Sequence, residues 1–431
     1  MTTNARFERE LPTILEDLYL GSAPDYRDEA LATAFGNSQR AAWTFAGRWI
    51  PMLDVAVRPV AAPRLPLRAI SVALVVIALL LAALVAFGSG HHGLRPFGPA
   101  ENGLLTWATN GDVYVGDTTD GTKRVVVQTD DDDRYPVFSR DGTKLAFLRQ
   151  VPAHTGRFDL VVMPAEGGAP QVLTPVSIGI PDAVEWAPDG TSLLVNSREQ
   201  PFTLTRYFVD GSAPAVLLTG VHLLADAFRP PDGAQILYQR EDGGGALFVM
   251  NADGSGAHPV LESSTAPCRP CRVAAPGRWS PDGRLIAVPI DIDGIQVRIH
   301  VINADGSGFR QLAYEQGVWT EFDPAWSPDG TRIAFNRWSR DESGEWTAQR
   351  VGVVASSGGE VGPIAAPAYD GGLIQWSPDG STILYLPPAV TDAASYGNQG
   401  DLGRPILVDM AHDSSRQIDW TIGSNASWQR R

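Results

Sequence analysis

Lysine and cysteine are almost absent from this sequence, and each shortage narrows what the protein can be. Only two of its 34 basic residues are lysines, and 49 acidic residues leave a net charge of −15 at pH 7. A chain this acidic is poorly suited to the phosphate backbone, so nucleic-acid binding is not expected. Two cysteines cannot form a disulfide framework. With 431 residues, 44% of them hydrophobic, the chain can instead bury a large core.

Charge is completely absent from one long stretch. Residues 69–87 read AISVALVVIALLLAALVAF, 19 residues without a charged side chain. As a helix rising about 1.5 Å per residue, this stretch matches a bilayer core of about 30 Å. It is too uniformly apolar for an amphipathic helix and too far from the start for a cleaved signal peptide. The sequence therefore predicts one transmembrane helix.

The charges beside this span predict its orientation. Four arginines precede it and one follows closely: Arg48, Arg58, Arg64, Arg68, then Arg95. Basic residues are retained on the cytoplasmic side, so we expect a single-pass cell-membrane protein with a cytoplasmic N-terminus. Residues 1–68 hold eight arginines and eight acidic residues, which places the whole charge of −15 on the far side.

Beyond a linker at 88–100, the sequence repeats a short phrase. WSPDG followed by an alternating apolar strand begins at Trp279, Trp326 and Trp376, with looser copies at Phe138, Trp186 and Phe228. The aspartates of the six copies are spaced 43 to 50 residues apart. This period is typical of the four-stranded blades of a β-propeller, which we expect to occupy 101–431.

The phrase itself has a local physical meaning. Proline sets the first corner of a turn, aspartate bonds its own downstream backbone, and glycine accepts the positive φ that closes the turn. Each copy therefore joins two strands, and its aromatic ring can wedge between neighbouring blades.

The two ends of the repeat region predict closure of the ring. Strands at Leu104–Thr109, Asp112–Asp117 and Arg124–Thr129 lack a first strand, and Asn425–Arg431 is a first strand without partners. Together they make a seventh blade, which hides two sheet edges. A six-bladed ring is the alternative.

The WSPDG copies and the NADGSG turns at Asn251 and Asn303 resemble TolB-like, WD-type propeller repeats over residues 101–431. Such proteins include docking scaffolds, sensors and the propeller domains of peptidases, so the resemblance does not imply one function. No Gly-x-Ser-x-Gly elbow occurs, and the seven histidines do not recur at equivalent positions. We therefore expect no enzyme, no cofactor and no metal, with a propeller-face enzyme as the less favoured alternative.

Variable loops on the face away from the turns are the expected recognition surface. The ligand-face candidates are Trp319, Glu321, Trp338, Trp346, Tyr396, Asp291 and Asp293. Some of these aromatic residues could simply cover the blades. Calcium at the aspartates is disfavoured because the spaced ligands of a calcium loop are missing.

The two cysteines lie close together in sequence, at Cys268 and Cys271. In an exported domain a small disulfide is the preferred interpretation. A redox pair would need a helical thioredoxin-like context, and a zinc site would need more ligands.

The N-terminal segment is too short to bury its own core. Two short helices are expected there, and the predicted docking residues are Leu11, Leu15, Leu18, Trp43, Phe45 and Trp49. A cytoplasmic protein partner is implied, with attachment to the membrane surface as the alternative.

The order of parts is similar to membrane-bound anti-sigma factors, although residues 1–68 contain no His or Cys for the zinc motif of that family. We expect a signalling or regulatory protein whose propeller binds a protein, glycan or small ligand. An envelope scaffold or assembly protein is the alternative.

Overall fold

The computed structural model describes residues 97–431 with gaps, and all described residues belong to one compact unit, Ser89–Arg431. The gaps are 152–155, 176–177, 180, 198–201, 220–227, 241–244, 263–271, 276, 295, 315–318, 341–345, 365–372 and 388–402. The N-terminal segment with its docking residues and the span at 69–87 lie outside the described residues. Within the described part, every regular element is a strand, and no helix could cross a membrane.

Strands are numbered in chain order and grouped into sheets A to F. Sheet A contains β1 (Asn102–Thr109), β2 (Asp112–Gly116), β3 (Lys123–Val127) and β29 (Ser424–Arg430). Sheet B contains β4 (Asp133–Phe138), β5 (Lys144–Gln150), β6 (Arg157–Pro164), β7 (Gln171–Val172) and β8 (Ile178–Gly179). Sheet C contains β9 (Pro181–Trp186), β10 (Ser192–Ser197), β11 (Thr203–Phe208) and β12 (Ala215–Thr219).

The remaining sheets follow in order along the chain. Sheet D contains β13 (Gln235–Arg240), β14 (Ala246–Asn251) and β15 (His258–Leu261). Sheet E contains β16 (Arg272–Val273), β17 (Arg278–Trp279), β18 (Leu285–Asp291), β19 (Val297–Asn303), β20 (Arg310–Gln311), β21 (Trp319–Trp326), β22 (Arg332–Arg340), β23 (Trp346–Ala355) and β24 (Gly362–Pro363). Sheet F contains β25 (Leu373–Trp376), β26 (Thr382–Leu386), β27 (Ile406–Asp409) and β28 (Ser414–Gln417).

The Pro-Asp-Gly turns join first and second strands, as the sequence predicts. Between β21 and β22, the Ser327 hydroxyl donates to Asp329 Oδ1 at 2.6 Å, and the Thr331 N–H donates to the same atom at 3.0 Å. Gly283 of the preceding copy has a φ of 68°, and a Cβ there would lie 1.9 Å from the carbonyl oxygen of Pro230. Glycine is therefore required both by the turn and by the close approach of a neighbouring repeat.

The repeat tryptophans lie between neighbouring repeats. The indole Nε1 of Trp186 donates to the Val137 carbonyl at 3.1 Å, and that of Trp376 donates to the Ala325 carbonyl at 2.9 Å. In each case the acceptor belongs to the first strand of the preceding repeat. The ring is thereby buried with its polar N–H satisfied, which confirms the predicted wedge.

Closure by strands from both ends is also confirmed. β29 pairs antiparallel with β1, and Leu105 faces Trp428 across the pair. This pairing gives β1 a hydrogen-bonded neighbour on each side, and β29 becomes the edge strand of sheet A.

The expected count of seven blades, or six in the alternative, is not reproduced as separate sheets. Five sheets have four or more strands, and sheet D has three. Sheet E contains nine strands because one parallel pair, Val297 with Thr320, connects β19 to β21. In sheet D, residues 220–227 lie outside the description, and Phe228 forms only an isolated bridge to Ile236.

Candidate functional site at the propeller axis

The first strands of neighbouring sheets lie side by side around the centre of the propeller. β29 lies beside β4, β4 beside β9, and β21 beside both β17 and β25. Propeller blades surround a central channel, so these strands form its wall. Five interacting charged side chains lie on or next to them, and we call these the axial cluster: Arg140, Glu185, Arg278, Asp323 and Arg430.

The axial cluster joins residues from four sheets. Arg140, two residues after β4, forms an ion pair with Glu185 of β9, with 3.0 Å between Nη2 and Oε1. Arg278 of β17 interacts electrostatically with Glu185, Asp323 and Arg140. Arg430 of β29 interacts with Arg140 in the same way. Among the described residues, three guanidinium groups and two carboxylates of four sheets therefore interact with one another.

Asp323 is positioned by a β-bulge in β21. The register with β22 shifts between Phe322 and Ala325, and Asp323 has a φ of 53°. Its Oδ2 accepts a hydrogen bond from Asn336 Nδ2 at 3.2 Å, yet the residue stays exposed. Bulges often re-aim side chains next to functional sites, and this one gives the cluster a carboxylate that solvent can reach.

The surroundings of two arginines in the cluster, Arg278 and Arg430, disfavour their positive charge. Burial lowers the pKa of Arg278, and Arg140 lowers it further, against the opposite effect of Glu185 and Asp323. Burial also lowers the pKa of Arg430 to about 10, with a contribution from Arg140. Guanidinium groups normally titrate far above pH 10. Positive charge is therefore costly here, and a bound anion would reduce that cost.

Sequence reasoning missed these five residues, although a signal exists. Arg140 and Arg430 lie two residues after the repeat aromatic, where the other five copies have proline: Pro188, Pro230, Pro281, Pro328 and Pro378. Glu185 and Arg278 directly precede a repeat tryptophan. Comparing copies position by position, rather than seeking histidines, would have found four of the five.

The predicted ligand-face residues of β21 and β22 lie at the strand ends away from the turn. The guanidinium carbon of Arg337 is 3.8 Å from the centroid of a Trp319 ring. Phe322 and Trp338 pack edge to face with their ring centroids 5.5 Å apart. Both tryptophans are half-buried. They lie on opposite faces of the sheet, because Trp319 shares its face with Arg337 and Trp338 shares its face with Phe322.

Glu321 is buried and is therefore not a ligand-face residue. Its Oε2 accepts the Ile299 N–H at 3.0 Å, and its Oε1 lies 3.4 Å from Arg298 Nη1 and 3.9 Å from Arg337 Nη2. Burial raises the pKa of Glu321, against the opposing effects of the Ile299 N–H and the two arginines. The three charged side chains are at most 5% exposed, which identifies a packing contact between neighbouring repeats.

The other predicted site residues are dispersed. Asp291 pairs with Arg272 at 3.1 Å and accepts the Gly294 N–H at 2.7 Å, while Asp293 accepts the Gln296 N–H at 2.8 Å. Both aspartates thus organise the connection from β18 to β19. Trp346 begins β23, but its side chain is not described; Tyr396, Cys268 and Cys271 lie outside the described residues. In the part of the chain that is described, no three His, Cys, Asp or Glu side chains could hold a metal ion.

No family model and no curated protein matches this sequence. Solved structures, in contrast, are similar to its fold. A putative TolB from Agrobacterium tumefaciens is 19% identical over 64% of this chain and 96% of its own, with a TM-score of 0.44. An oligogalacturonate lyase in complex with manganese is 13% identical over 74% of this chain and 84% of its own, with a TM-score of 0.51. A puromycin-hydrolyzing peptidase from Mycobacterium tuberculosis is 16% identical over 75% of this chain and 56% of its own, with a TM-score of 0.51.

These likenesses correct one expectation and leave another without support. The expectation that the chain is not an enzyme is wrong, because a lyase and a peptidase share its propeller arrangement, and the missing motif and scattered histidines do not exclude catalysis. The resemblance to anti-sigma factors gains no support from the similar structures. At identities below 20%, the comparisons show the fold alone. That fold is an all-β propeller with TolB proteins among its structural neighbours.

Proposed function

We propose that this protein is a single-pass membrane protein whose extracytoplasmic propeller binds an anionic ligand at the axial cluster. The observation that carries the ligand class is the excess of guanidinium groups among the described residues of the cluster, three against two carboxylates. The whole chain has the opposite bias, with 49 acidic against 34 basic residues. Positive charge gathered inside an acidic protein favours specific capture of an anion over general electrostatic attraction.

The composition of the cluster narrows the ligand further. Guanidinium groups bind carboxylate or phosphate through paired hydrogen bonds. Glu185 and Asp323 only accept hydrogen bonds when ionised, so they favour a ligand that also carries hydroxyl or ammonium donors. A sugar acid or an amino acid meets both requirements, whereas sulfate meets only the first.

Calorimetry on the full-length chain in detergent tests this proposal with matched probes. D-galacturonate and D-galactose differ in the carboxylate, and glutamate and citrate supply two further anions. We expect an anion to bind, galactose not to bind, and Arg278→Gln to weaken anion binding at least tenfold. Arg404→Gln is the matched control, because Arg404 pairs with Asp419 at 3.0 Å in a largely exposed position. Equal binding of galactose and galacturonate, or no anion binding, would contradict the proposal.

A second candidate is β-elimination on a uronic acid substrate. The lowered pKa of Arg278 favours it, since a lower pKa raises the fraction of neutral guanidine, and only this neutral form can accept the proton from the carbon next to the carboxylate. The carbon–oxygen bond at the neighbouring carbon then breaks, a carbon–carbon double bond forms, and the leaving oxygen takes a proton from water to give the hydroxyl of the released product. A similar structure is that of an oligogalacturonate lyase. Trigalacturonate should then yield the ultraviolet absorbance of an unsaturated product, and Arg278→Gln should abolish it.

The proposal includes the anchor and an N-terminal docking segment. The uncharged run at 69–87 and the arginines before it support the anchor, and the apolar residues of 1–68 support the docking. Affinity capture from membranes should recover a specific cytoplasmic protein with the full chain and lose it when 1–68 are deleted. Identical partners with and without this segment would favour the scaffold alternative.

We also infer that the ring has seven blades. Seven hydrophobic clusters each combine residues of neighbouring repeats. One of them packs Ile299 of β19 against Phe335 of β22, which divides sheet E as the other clusters divide separate sheets. An experimental structure with another blade count would contradict this inference.

A further inference from the structure

The first described residues of the chain lie against the axial cluster. The half-buried Phe97 ring has its centroid 4.7 Å from the guanidinium carbon of Arg140. Arg430 Nη2 donates to the Gly98 carbonyl at 2.6 Å, and the Ala100 N–H donates to the Pro378 carbonyl at 2.9 Å. We call residues 97–100 the strap.

The strap contacts the two cluster arginines that lie nearest the turn end of the channel. Arg140 follows Phe138 by two residues and begins a turn that continues with Asp141 and Gly142, whereas Arg430 follows Trp428 by two and is the last residue of β29. Phe97 covers one guanidinium, and the Gly98 carbonyl takes a donor from the other. The strap therefore contacts the same two guanidinium groups that an anion at this end of the channel would bind.

The conformation of the strap suits a segment that can come away. Gly98 has a φ of 87°, and no atom lies within 4 Å of where its Cβ would be. The backbone thus bends at an unpacked glycine between the aromatic contact and the start of β1. Among the described residues, a cation–π contact, a charge-assisted hydrogen bond from Arg430 and a backbone hydrogen bond from Ala100 hold the bend.

We propose that the strap is a displaceable cap on the axial site. An anion that binds Arg140 and Arg430 takes the place of Phe97 and the Gly98 carbonyl, so ligand occupancy frees the segment that leads to the N-terminal part of the chain. This proposal rests on the anion binding proposed above. In thermodynamic terms, the closed strap reduces the apparent affinity by the fraction of molecules that are open.

Removing the aromatic contact tests the competition directly. In the full-length chain, Phe97→Ala should tighten binding of D-galacturonate, glutamate or citrate by about threefold or more, because the open fraction rises. Phe97→Tyr should restore the parent affinity. The matched control is Phe208→Ala, since Phe208 lies 5.4 Å from the guanidinium of Arg206 on β11, away from the axis. Hydrogen exchange supplies a second readout: saturating anion should speed exchange at the Ala100 amide and leave the Thr106 amide of β1 unchanged.

The outcomes separate the two proposals. Anion binding with equal affinity in the parent chain and Phe97→Ala, with no change in Ala100 exchange, would overturn the strap and leave the axial site standing. Binding by neither protein would overturn both. Binding by Phe97→Ala alone, with a silent parent chain, would support both and identify the strap as an autoinhibitory contact.

Discussion

Two places in the propeller combine guanidinium and carboxylate groups, but in different numbers. One is the ion pair between Asp133 and Arg149 in sheet B, and the other is the axial cluster. Asp133 is fully buried, and its two oxygens accept from Arg149 Nε at 2.8 Å and Nη2 at 2.9 Å. Arg149 thus binds both oxygens of one buried carboxylate, and its Nε also lies 3.6 Å from Asp131 Oδ2. The axial cluster has three guanidinium groups for two carboxylates, and Asp323 is exposed. The buried pair stabilises the blade, whereas the axial cluster includes an exposed carboxylate and, among the described residues, more guanidinium groups than carboxylates.

The contact around Glu321 shows that proportion alone does not make a site. Glu321 also faces two arginines, Arg298 and Arg337, but all three side chains are at most 5% exposed. No ligand can reach these groups without opening the interface between repeats. Accessibility and unequal charge together distinguish the axis, and the following predictions test that distinction.

The largest expected effect is the loss of the matched pair. Arg149→Gln leaves Asp133 buried without its partner, which should lower the free energy of unfolding by about 3 to 5 kcal/mol in urea denaturation. Arg134→Gln, which removes an exposed partner of Asp132, should cost less than about 1 kcal/mol. If Arg149→Gln lowers the free energy of unfolding by less than about 1 kcal/mol, the Asp133–Arg149 pair does not stabilise the blade, and its contrast with the axial cluster fails.

The pH dependence of that variant follows from the direction of the shift. Burial raises the pKa of Asp133, against the opposing effect of Arg149. Without Arg149 the pKa rises further, so the folded state holds a proton that the unfolded state has released. The stability deficit should therefore grow as pH rises through the new pKa and shrink toward acid. Urea midpoints measured at several pH values would check the sign.

His300 provides the second test, because it is buried as a neutral group. Burial lowers its pKa from 6.5 to about 4, and its Nδ1–H donates to the Arg298 carbonyl at 3.0 Å. The unfolded chain binds a proton first on acidification, so stability should fall by about 3 kcal/mol as pH drops from 6.5 to 4. His300→Gln should flatten thermal unfolding midpoints over this window. An unchanged slope in the variant would contradict the assignment.

Arg278 tests the cluster with the substitution used at Arg149. Arg278→Gln removes a positive charge that burial disfavours, so the free energy of unfolding should change by less than about 1 kcal/mol. Anion binding should still weaken at least tenfold. Large destabilisation with unchanged anion binding would show that Arg278 stabilises the fold and does not bind the ligand.

A small effect on stability, with none on binding, is expected at an arginine that bridges neighbouring repeats. Arg332 Nη2 donates to the Gly380 carbonyl at 3.2 Å, and its guanidinium carbon lies 4.8 Å from a Trp376 ring centroid. Arg332→Lys loses the planar stack and should cost about 1 kcal/mol in urea denaturation. Anion affinity should not change, and a change would extend the functional region beyond the axis.

Much of the fold could be predicted because its causes are local. The Pro-Asp-Gly phrase encodes a turn within five residues, and the alternating strand after it encodes the second strand. The pairing of β29 with β1 could also be foreseen, since each end of the repeat region lacks what the other supplies. The sheet count could not, because one backbone pair between Val297 and Thr320 merges two repeats.

The candidate site was harder to predict because its members are far apart in sequence. Arg140 and Arg430 are separated by 290 residues and meet only because the ring closes on itself. The predicted aromatics Trp319 and Trp338 lie on the two strands of one hairpin, which is a local event, but the register puts their side chains on opposite faces of the sheet. A glutamate at position 321 is a reasonable ligand-binding candidate from the sequence, and only the packing of the neighbouring repeat buries its side chain.

By itself, the sequence determined the repeat, the turn chemistry, the strand order within a repeat and the joining of the two ends. It did so because periodic apolar residues and turn residues act over a few positions. Tertiary structure decided which arginines share a channel, which carboxylates are buried and where residues 97–100 lie. Those outcomes depend on how the repeats pack around one axis, and burial and distance then set the cost of every charge placed there.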